Sequence, residues 1–406
     1  MLILFFMCTI PMYYLYDGWI TLGGFGLMYS YLAGIAFIFI CFWRFLIWPD
    51  MDRAAYIGKL ALIAASPYLF SLLWSMGLWV FNLAEFRIIT RGLFFPVYQL
   101  IAITVGACAV YCFGHRGAYY MLASLAAAIL LIAGGQILQG GVREFFYEYA
   151  VLIKSGSKLT GPMMKAVEKA SLIHGLGLFL LYLLLQKRHK ARNFFLALCC
   201  LPLFLMGYKR SAILALFSSA AVAVIFMVFP KQWKRKAASA LSVLLVAGGL
   251  IYLWLIFSGL LETISNFANI DSMGRIEMYR VMKEYCRFSP AYLGRGMGFV
   301  SYMIGRGLID VGYQFAGDIH NDMLRQYIEL GMAGFLLWGF FYFIYKVRGF
   351  LKYAGTDCAC FAAACSVYCF VCYLTENMYY RFSANSALAV VLLAYAAEYG
   401  RRKDTE

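Results

Sequence analysis

Long apolar runs, each about as long as a lipid bilayer is thick, dominate this chain. Hydrophobic residues make up 64% of its 406 residues and charged residues only 14%, whereas soluble domains carry about 25% charged residues. A water-soluble fold cannot bury this much apolar surface, so lipid must be the main solvent. Because a spanning helix needs about 20 apolar residues, the sequence predicts an all-α, polytopic membrane helix bundle.

We predict about twelve transmembrane helices, one for each apolar run. The runs are residues 2–16, 26–47, 57–81, 92–113, 118–139, 170–186, 193–207, 211–229, 237–258, 322–345, 357–374 and 383–398. Two long polar segments separate them, at about 140–169 and at 259–321, and the second is called the outer loop. The chain divides into N-terminal helices (1–190), a core that contains the outer loop (191–345), and C-terminal helices with a polar tail (346–406).

Basic residues in the short loops predict the direction in which the chain crosses the membrane. Lysines and arginines follow the sixth, eighth, tenth and twelfth runs, which all end on the same side. Short cytoplasmic loops are enriched in basic residues. We therefore predict a multi-pass membrane protein with both termini cytoplasmic and both long loops facing outward. In a bacterium, this membrane would be the cytoplasmic (inner) membrane.

The net charge of +15 does not indicate a nucleic-acid partner, because the basic residues are spread over separate loops rather than gathered in one patch. Most of the twelve cysteines lie inside apolar runs, where a thiol behaves as a small hydrophobic group. Cys358 and Cys360 have no histidine or second cysteine pair nearby to complete a zinc site. We therefore expect no metal and no other cofactor.

The outer loop is predicted to contain an amphipathic helix from about residue 273 to 287, suited to lie on the membrane surface. Ser272 can cap this helix and Pro290 ends it. Arg275 lies in its first turn, Arg280 lies on its polar side, and Arg295 follows in a glycine-rich turn. Because cations disfavour a helix N-terminus, an anionic ligand at that end would explain Arg275.

His320 closes the outer loop, directly before the tenth run. The helix dipole biases a histidine at a helix N-terminus toward its neutral form, and a neutral imidazole can accept a proton as a general base. The alternative is a histidine that only hydrogen-bonds the loop. His115 and His189 lie in basic turns and His174 lies within a run, and we assign none of these three a catalytic role.

Further charged residues lie near the predicted outer ends of the runs. Lys209 and Arg210 join two runs there, where they bind an anion or reach lipid phosphates. Glu329 lies one to two turns inside a run, where it is either functional or paired with Arg325. Glu376 belongs to another outward polar cluster.

The residues around His320 resemble a known family. His320-Asn321 stands before a run, and Glu329, Gly331 and Gly334 follow inside it. This order resembles the signature of the O-antigen ligase and polysaccharide polymerase superfamily. The resemblance covers about residues 200–340, whereas the first 190 residues match only as a series of spans.

Two arginine motifs add to this resemblance. Lys209-Arg210-Ser211 is similar to the family's first arginine motif, although Lys209 stands where a small residue is commoner. Gly274-Arg275, with an aromatic residue four positions later, is similar to the second. The order and spacing of all these motifs agree with those of the family.

The resemblance implies a multi-span glycosyltransferase whose donor is a glycan on undecaprenyl diphosphate. Arg210 and Arg275 would bind the diphosphate, and His320 would deprotonate or position the acceptor hydroxyl. Two arginines can stabilise a departing diphosphate without a metal, and a single displacement would invert the anomeric carbon. The secondary candidates for the site are Lys209, Arg280, Arg295, Asn321, Glu329 and Glu376.

We predict a polymerase that joins lipid-linked oligosaccharide repeats into a capsule, exopolysaccharide or O-antigen chain. Its partners would be the lipid-linked donor, an acceptor glycan, membrane lipid and a chain-length regulator. The first alternative is a ligase that moves a finished glycan to another acceptor with the same residues. The second is a flippase or transporter of lipid-linked oligosaccharide, which would need charges spread along several spans. Sparse charge within the runs favours an enzyme.

Overall fold

The protein is a bundle of apolar helices. The computed structural model describes residues 1–15, 19–22, 25–155, 161–168, 170–269, 274–306 and 319–400. The helices of the N-terminal part are α1 (Leu2–Tyr14), α2 (Tyr29–Ile47), α3 (Met51–Phe81), α4 (Phe86–Phe113), α5 (Arg116–Gly140), α6 (Val142–Ser155), α7 (Pro162–Val167) and α8 (Ala170–Leu185). A two-stranded antiparallel hairpin, Trp19–Leu22 with Phe25–Met28, lies between α1 and α2.

The remaining helices belong to the outer loop and to the spans before and after it. They are α9 (Lys190–Met206), α10 (Arg210–Val228), α11 (Lys231–Ser258), α12 (Leu260–Phe267), α13 (Arg275–Met282), α14 (Phe299–Gly305), α15 (Asp322–Gly339), α16 (Lys346–Tyr353), α17 (Thr356–Tyr373) and α18 (Phe382–Tyr399). A π-helical segment, Phe340–Tyr345, joins α15 to α16 without interruption.

Each of the twelve predicted spans coincides with a helix, and the all-α polytopic fold is confirmed. Within the described part of the chain, nine helices are long and apolar enough to cross a membrane. The helices at the first, sixth and seventh runs are shorter, with 13, 16 and 17 residues.

The two C-terminal spans form the centre of the bundle. α18 packs against α3, α4, α5, α8 and α17, and α17 also packs against α10 and α11. Both helices are rich in alanine, serine and other small residues, which allow neighbouring helices to approach closely. α2, α10 and α11 bury much less of their surface. Large apolar side chains on them, such as Phe217, are exposed.

α15 is broken at Gly331, whose backbone has φ of 72°. The break exposes backbone groups that need partners, because lipid offers none. A segment of the outer loop supplies them through the bonds Arg295 N–H to Ile328 C=O (3.1 Å), Gly296 N–H to Glu329 C=O (2.7 Å) and Met332 N–H to Tyr292 C=O (2.9 Å). The outer loop is therefore fixed to the core by backbone hydrogen bonds rather than lying free on the surface.

Glu329 and Arg325 form a fully buried ion pair beside this break. Arg325 Nε lies 3.5 Å from Glu329 Oε1. The carboxylate also accepts hydrogen bonds from the Gly298 amide (3.1 Å) and the Tyr380 hydroxyl (3.1 Å). The Arg325 guanidinium lies over the Tyr380 ring and donates to the Ser301 hydroxyl. The alternative in which Glu329 pairs with Arg325 is confirmed.

The charged residues buried within the spans are few, but they are concentrated in one segment of the chain. Asp322, Arg325 and Glu329 of α15 are fully buried, and Lys346 at the start of α16 is 2% exposed. The expectation of sparse charge is therefore incomplete, because three of the four charges lie before the break at Gly331 and the fourth lies after it, all in the segment that runs from α15 into α16. Buried charges need partners, and Arg325 and Glu329 provide them for each other.

The predicted surface helix of the outer loop is shorter and more buried than expected. α13 begins at Arg275 after Gly274, whose φ is 77°, and Ser272, the predicted cap, lies outside the described residues. Met278, Tyr279 and Met282 are buried. The helix therefore packs on the bundle through these side chains.

We predict that Gly331→Ala destabilises the protein by about 2–4 kcal/mol, through strain at a positive φ and a steric clash. A Cβ at this position would lie 2.2 Å from the carbonyl carbon of Leu293. Gly58→Ala in α3 is the matched control, since no atom lies within 4 Å of its Cβ position and alanine favours a helix. Thermal unfolding in detergent measures both variants. Equal melting temperatures for Gly331→Ala and the wild type would contradict the prediction.

Candidate functional site

Glu376, between α17 and α18, is the residue on which the polar side chains of the site converge. Its Oε1 lies 3.7 Å from Nη2 of Arg275, and its Oε2 lies 3.7 Å from Nδ1 of His320. The hydroxyl of Ser211 donates a hydrogen bond to Oε1 at 3.4 Å. These four residues, which we call the Glu376 cluster, come from α10, α13, the end of the outer loop and the α17–α18 connection.

Glu376 is an anion in spite of its burial, with 12% of its side chain exposed. Burial by itself would raise the pKa of this carboxyl. The close contact with His320 and the charges of Lys209, His174 and His320 outweigh burial and hold the pKa below its usual range. An ionised carboxylate in contact with an imidazole can stabilise the imidazolium that forms when a general base takes a proton.

The neighbouring Asn321 fixes the position of His320. His320 has a left-handed backbone with φ of 46°, which is uncommon for a residue with a side chain. Asn321 then caps α15, since its Oδ1 accepts from the amide of Leu324 at 2.9 Å. Its Nδ2 donates to the Tyr252 hydroxyl at 3.2 Å. The amide thus ties the start of α15 to α11 and holds the histidine before it.

The connection between α17 and α18, which carries Glu376, is held in place near the start of α18. The amide of Tyr379 donates to Asp322 Oδ2 at 2.7 Å, and Asp322 is the first residue of α15. The Tyr380 hydroxyl accepts from Gln326 at 2.7 Å and donates to the buried Glu329. Glu329 therefore lies outside the Glu376 cluster but supports the connection on which Glu376 stands.

The turn before α10 orients two basic side chains differently. Lys209 Nζ forms an ion pair with Glu168 at 2.8 Å, and both side chains are largely buried. Arg210 begins α10 next to Ser211, and its side chain is exposed. Tyr208 has φ of 42°, so the chain reverses sharply at this point. The turn brings Ser211 to Glu376 and leaves the Arg210 guanidinium accessible at the edge of the cluster.

Arg280 and Arg295, two of the secondary candidates, have other partners. Arg280 pairs with Glu262 of α12 at 2.6 Å, and its side chain is 62% exposed. Arg295 is exposed, and its guanidinium lies 5.8 Å from the centre of the Phe299 ring. The structure therefore brings Arg275 to the cluster and leaves these two arginines on other surfaces.

The region also contains His174 and Glu168, which the sequence did not indicate, and Ser211, which the sequence placed only in the first arginine motif. His174 Nε2 lies 3.4 Å from the Ser211 hydroxyl, and the residue is 1% exposed within α8. The signal that points to it is an ionisable residue in an apolar span, which is a functional candidate by default. Glu168 gave no such signal, because its contact with Lys209 arises only from the packing of α7.

The arrangement combines an anionic carboxylate, a histidine in contact with it, and two arginines close to the surface. Nε of Arg275 is buried and has no hydrogen-bond partner among the described residues. The Arg275 side chain is 26% exposed, and a guanidinium at a surface can bind an anion. No group of three or more metal-binding side chains occurs in the part of the chain that the structure describes.

Comparison with protein families matches residues 193–339 to the model described as O-antigen ligase. This range runs from α9 to α15 and contains Ser211, Arg275 and His320, whereas His174 and Glu376 lie outside it. The comparison with curated proteins gives no match to the chain. The protein is a multi-pass membrane protein, and its core, residues 193–339, is similar to the O-antigen ligase family.

Proposed function

We propose that the protein is a repeat-unit polymerase of the bacterial cytoplasmic (inner) membrane, with both termini in the cytoplasm and the Glu376 cluster facing outward. It would transfer a growing glycan from undecaprenyl diphosphate to a sugar hydroxyl of another lipid-linked repeat. The observation that carries this proposal is that Arg275 and His320 share one carboxylate, Glu376. Arg275, which would bind an anion, and His320, which would accept a proton, are thereby held at the same carboxylate.

In the proposed reaction, the oxygen of the acceptor hydroxyl attacks the anomeric carbon of the donor. The bond from that carbon to the diphosphate oxygen breaks, its electrons stay with undecaprenyl diphosphate, and the configuration at the carbon inverts. Nε2 of His320 accepts the hydroxyl proton, while Nδ1 faces the Glu376 carboxylate. Glu376 stabilises the resulting imidazolium and keeps the ring oriented.

Arg275 and Arg210 would stabilise the negative charge that develops on the departing diphosphate. Arginine can contact two phosphate oxygens at once, and such contacts act mainly in the transition state. The buried, unpartnered Nε of Arg275 supports this role, because an anionic ligand would provide its missing acceptor. We propose that this charge compensation makes the transfer independent of a metal ion.

The ligase alternative uses the same residues and the same bond changes, with a different acceptor. The match to the model described as O-antigen ligase supports the ligase and the polymerase equally. The transporter alternative has less support, because the buried Arg325 and Glu329 pair with each other instead of lining an open path.

We predict that Arg275→Ala lowers the rate of transfer about 100-fold or more, as expected for loss of a charged contact to the transition state. Arg280→Ala, on the same helix, is the matched control and should remain within about twofold of the wild type, because exposed ion pairs such as that with Glu262 contribute little. The measurement uses membrane vesicles and the lipid-linked repeat extracted from cells that lack the protein. Equal losses in the two variants would argue against the proposed diphosphate site.

Glu376→Gln should lower the rate about 10-fold to 1000-fold, because the proton transfer to His320 would then lack the carboxylate that stabilises the imidazolium. Glu262→Gln, the partner of the control arginine, should stay within about twofold of the wild type. The same vesicle assay measures both variants. A Glu376→Gln rate equal to that of the wild type would contradict the role of Glu376.

The length of the product separates polymerase from ligase. If the protein is a polymerase, cells with His320→Ala should accumulate single repeats on the lipid carrier, as gel ladders and mass spectrometry of extracted lipid would show. If it is a ligase, full-length polymer should remain on the carrier and fail to reach its acceptor. A chain-length regulator, the further partner that we propose, would narrow the length distribution in cells but would be dispensable in vesicles. A normal ladder with His320→Ala would contradict both functions.

A further inference from the structure

We infer that His174 is a positioning residue of this site, which acts on Glu376 through the hydroxyl of Ser211. The inference rests on the proposed function and adds to it a residue from α8, outside the matched core. His174 Nε2 lies 3.4 Å from Ser211 Oγ, and Ser211 Oγ lies 3.4 Å from Glu376 Oε1. The contacts therefore continue from a membrane-buried histidine to the carboxylate that holds His320.

The hydrogen-bonding capacity of the three groups sets the direction of this chain. A hydroxyl has one hydrogen, and the ionised Glu376 can only accept, so Ser211 donates to Glu376. Ser211 must then accept from its other neighbour, which requires a proton on Nε2 of His174. The side chains of His174 and Ser211 thus form a directed pair, and the donated bonds point from the helix interior toward the carboxylate.

The backbone and burial of His174 hold it in this orientation. The Tyr368 hydroxyl of α17 donates to the His174 carbonyl at 3.0 Å, and the His174 side chain is 1% exposed. An imidazole in an apolar span is costly unless it has a polar partner. Ser211 is such a partner, and the position of α8 beside α10 makes the contact.

The two oxygens of Glu376 have separate partners. Arg275 and Ser211 face Oε1, whereas His320 faces Oε2. Lys209 contributes its positive charge from the turn before α10, and Tyr368 faces His174 from α17. With Oε1 fixed by the Ser211 hydroxyl, the carboxylate cannot rotate without breaking that bond. His174 therefore helps to keep Oε2 directed at His320.

The proposed role of His174 requires an N–H donor at the position of Nε2. Substitutions can separate the effect of this donor from the effect of side-chain size. His174→Gln keeps an N–H donor at nearly the same place, whereas His174→Leu keeps an apolar side chain of similar size without the donor. Ser211→Ala removes the middle of the chain. All three should retain the wild-type melting temperature within a few degrees in detergent, which separates a loss of positioning from a loss of folding.

The test measures initial transfer rates of the full-length protein in membrane vesicles, with the lipid-linked repeat extracted from cells that lack it. His174→Leu should lower the rate about 10-fold to 100-fold, as expected when a buried hydroxyl loses its hydrogen-bond donor. His174→Gln should stay within about threefold of the wild type. The effects of His174→Leu and Ser211→Ala should not add in the double variant, because both act through one contact.

Three results would overturn the inference while leaving the proposed function intact. They are a wild-type rate for His174→Leu, an equally large loss for His174→Gln, and additive losses in the double variant. A wild-type protein that leaves the lipid-linked repeat unconsumed, in vesicles where a donor is present, would instead overturn the proposed function and this inference with it.

Discussion

Lipid provides no hydrogen-bond partner, and the rest of this structure depends on how the protein satisfies its buried polar groups internally. The clearest case is α15, which is broken at Gly331 in the centre of the bundle. The backbone groups at the break would be very costly without partners, and residues 292–296 of the outer loop supply them. The hydrogen bonds that satisfy the broken α15 also attach the outer loop to the core. They thereby help to determine where the arginines of the outer loop lie.

The same constraint explains why the site is built around a carboxylate. Glu376 remains ionised in a buried position because basic groups from several elements surround it. Opposite charge holds α13 and the end of the outer loop to this carboxylate, and a hydrogen bond from Ser211 holds α10 to it. The Glu376 cluster is consequently both a structural junction and the proposed reaction centre. This dual role is consistent with a site whose substrate is an anionic lipid.

How far the sequence could predict this site differs from residue to residue. Arg275 and His320 stood out because they are charged or titratable in short motifs, and the structure brings both to Glu376. Arg280 carried the same signal, yet it pairs with Glu262 at the surface. His174 was set aside because a lone histidine within a span has no visible partner in the sequence. Its partner, Ser211, lies 37 residues away and meets it only through the packing of α8 on α10.

The sequence by itself determined where the apolar spans lie and in what order, because apolar runs of bilayer length can form little else in lipid. Its short motifs around Arg210, Arg275 and His320 also indicated the family whose model matches residues 193–339. Only the tertiary structure decided which polar groups meet. Helix rotation and the break at Gly331 select among many charged residues those that share Glu376 and those that pair elsewhere. Such choices depend on contacts between residues far apart in the chain, and the periodicity of a single helix does not encode them.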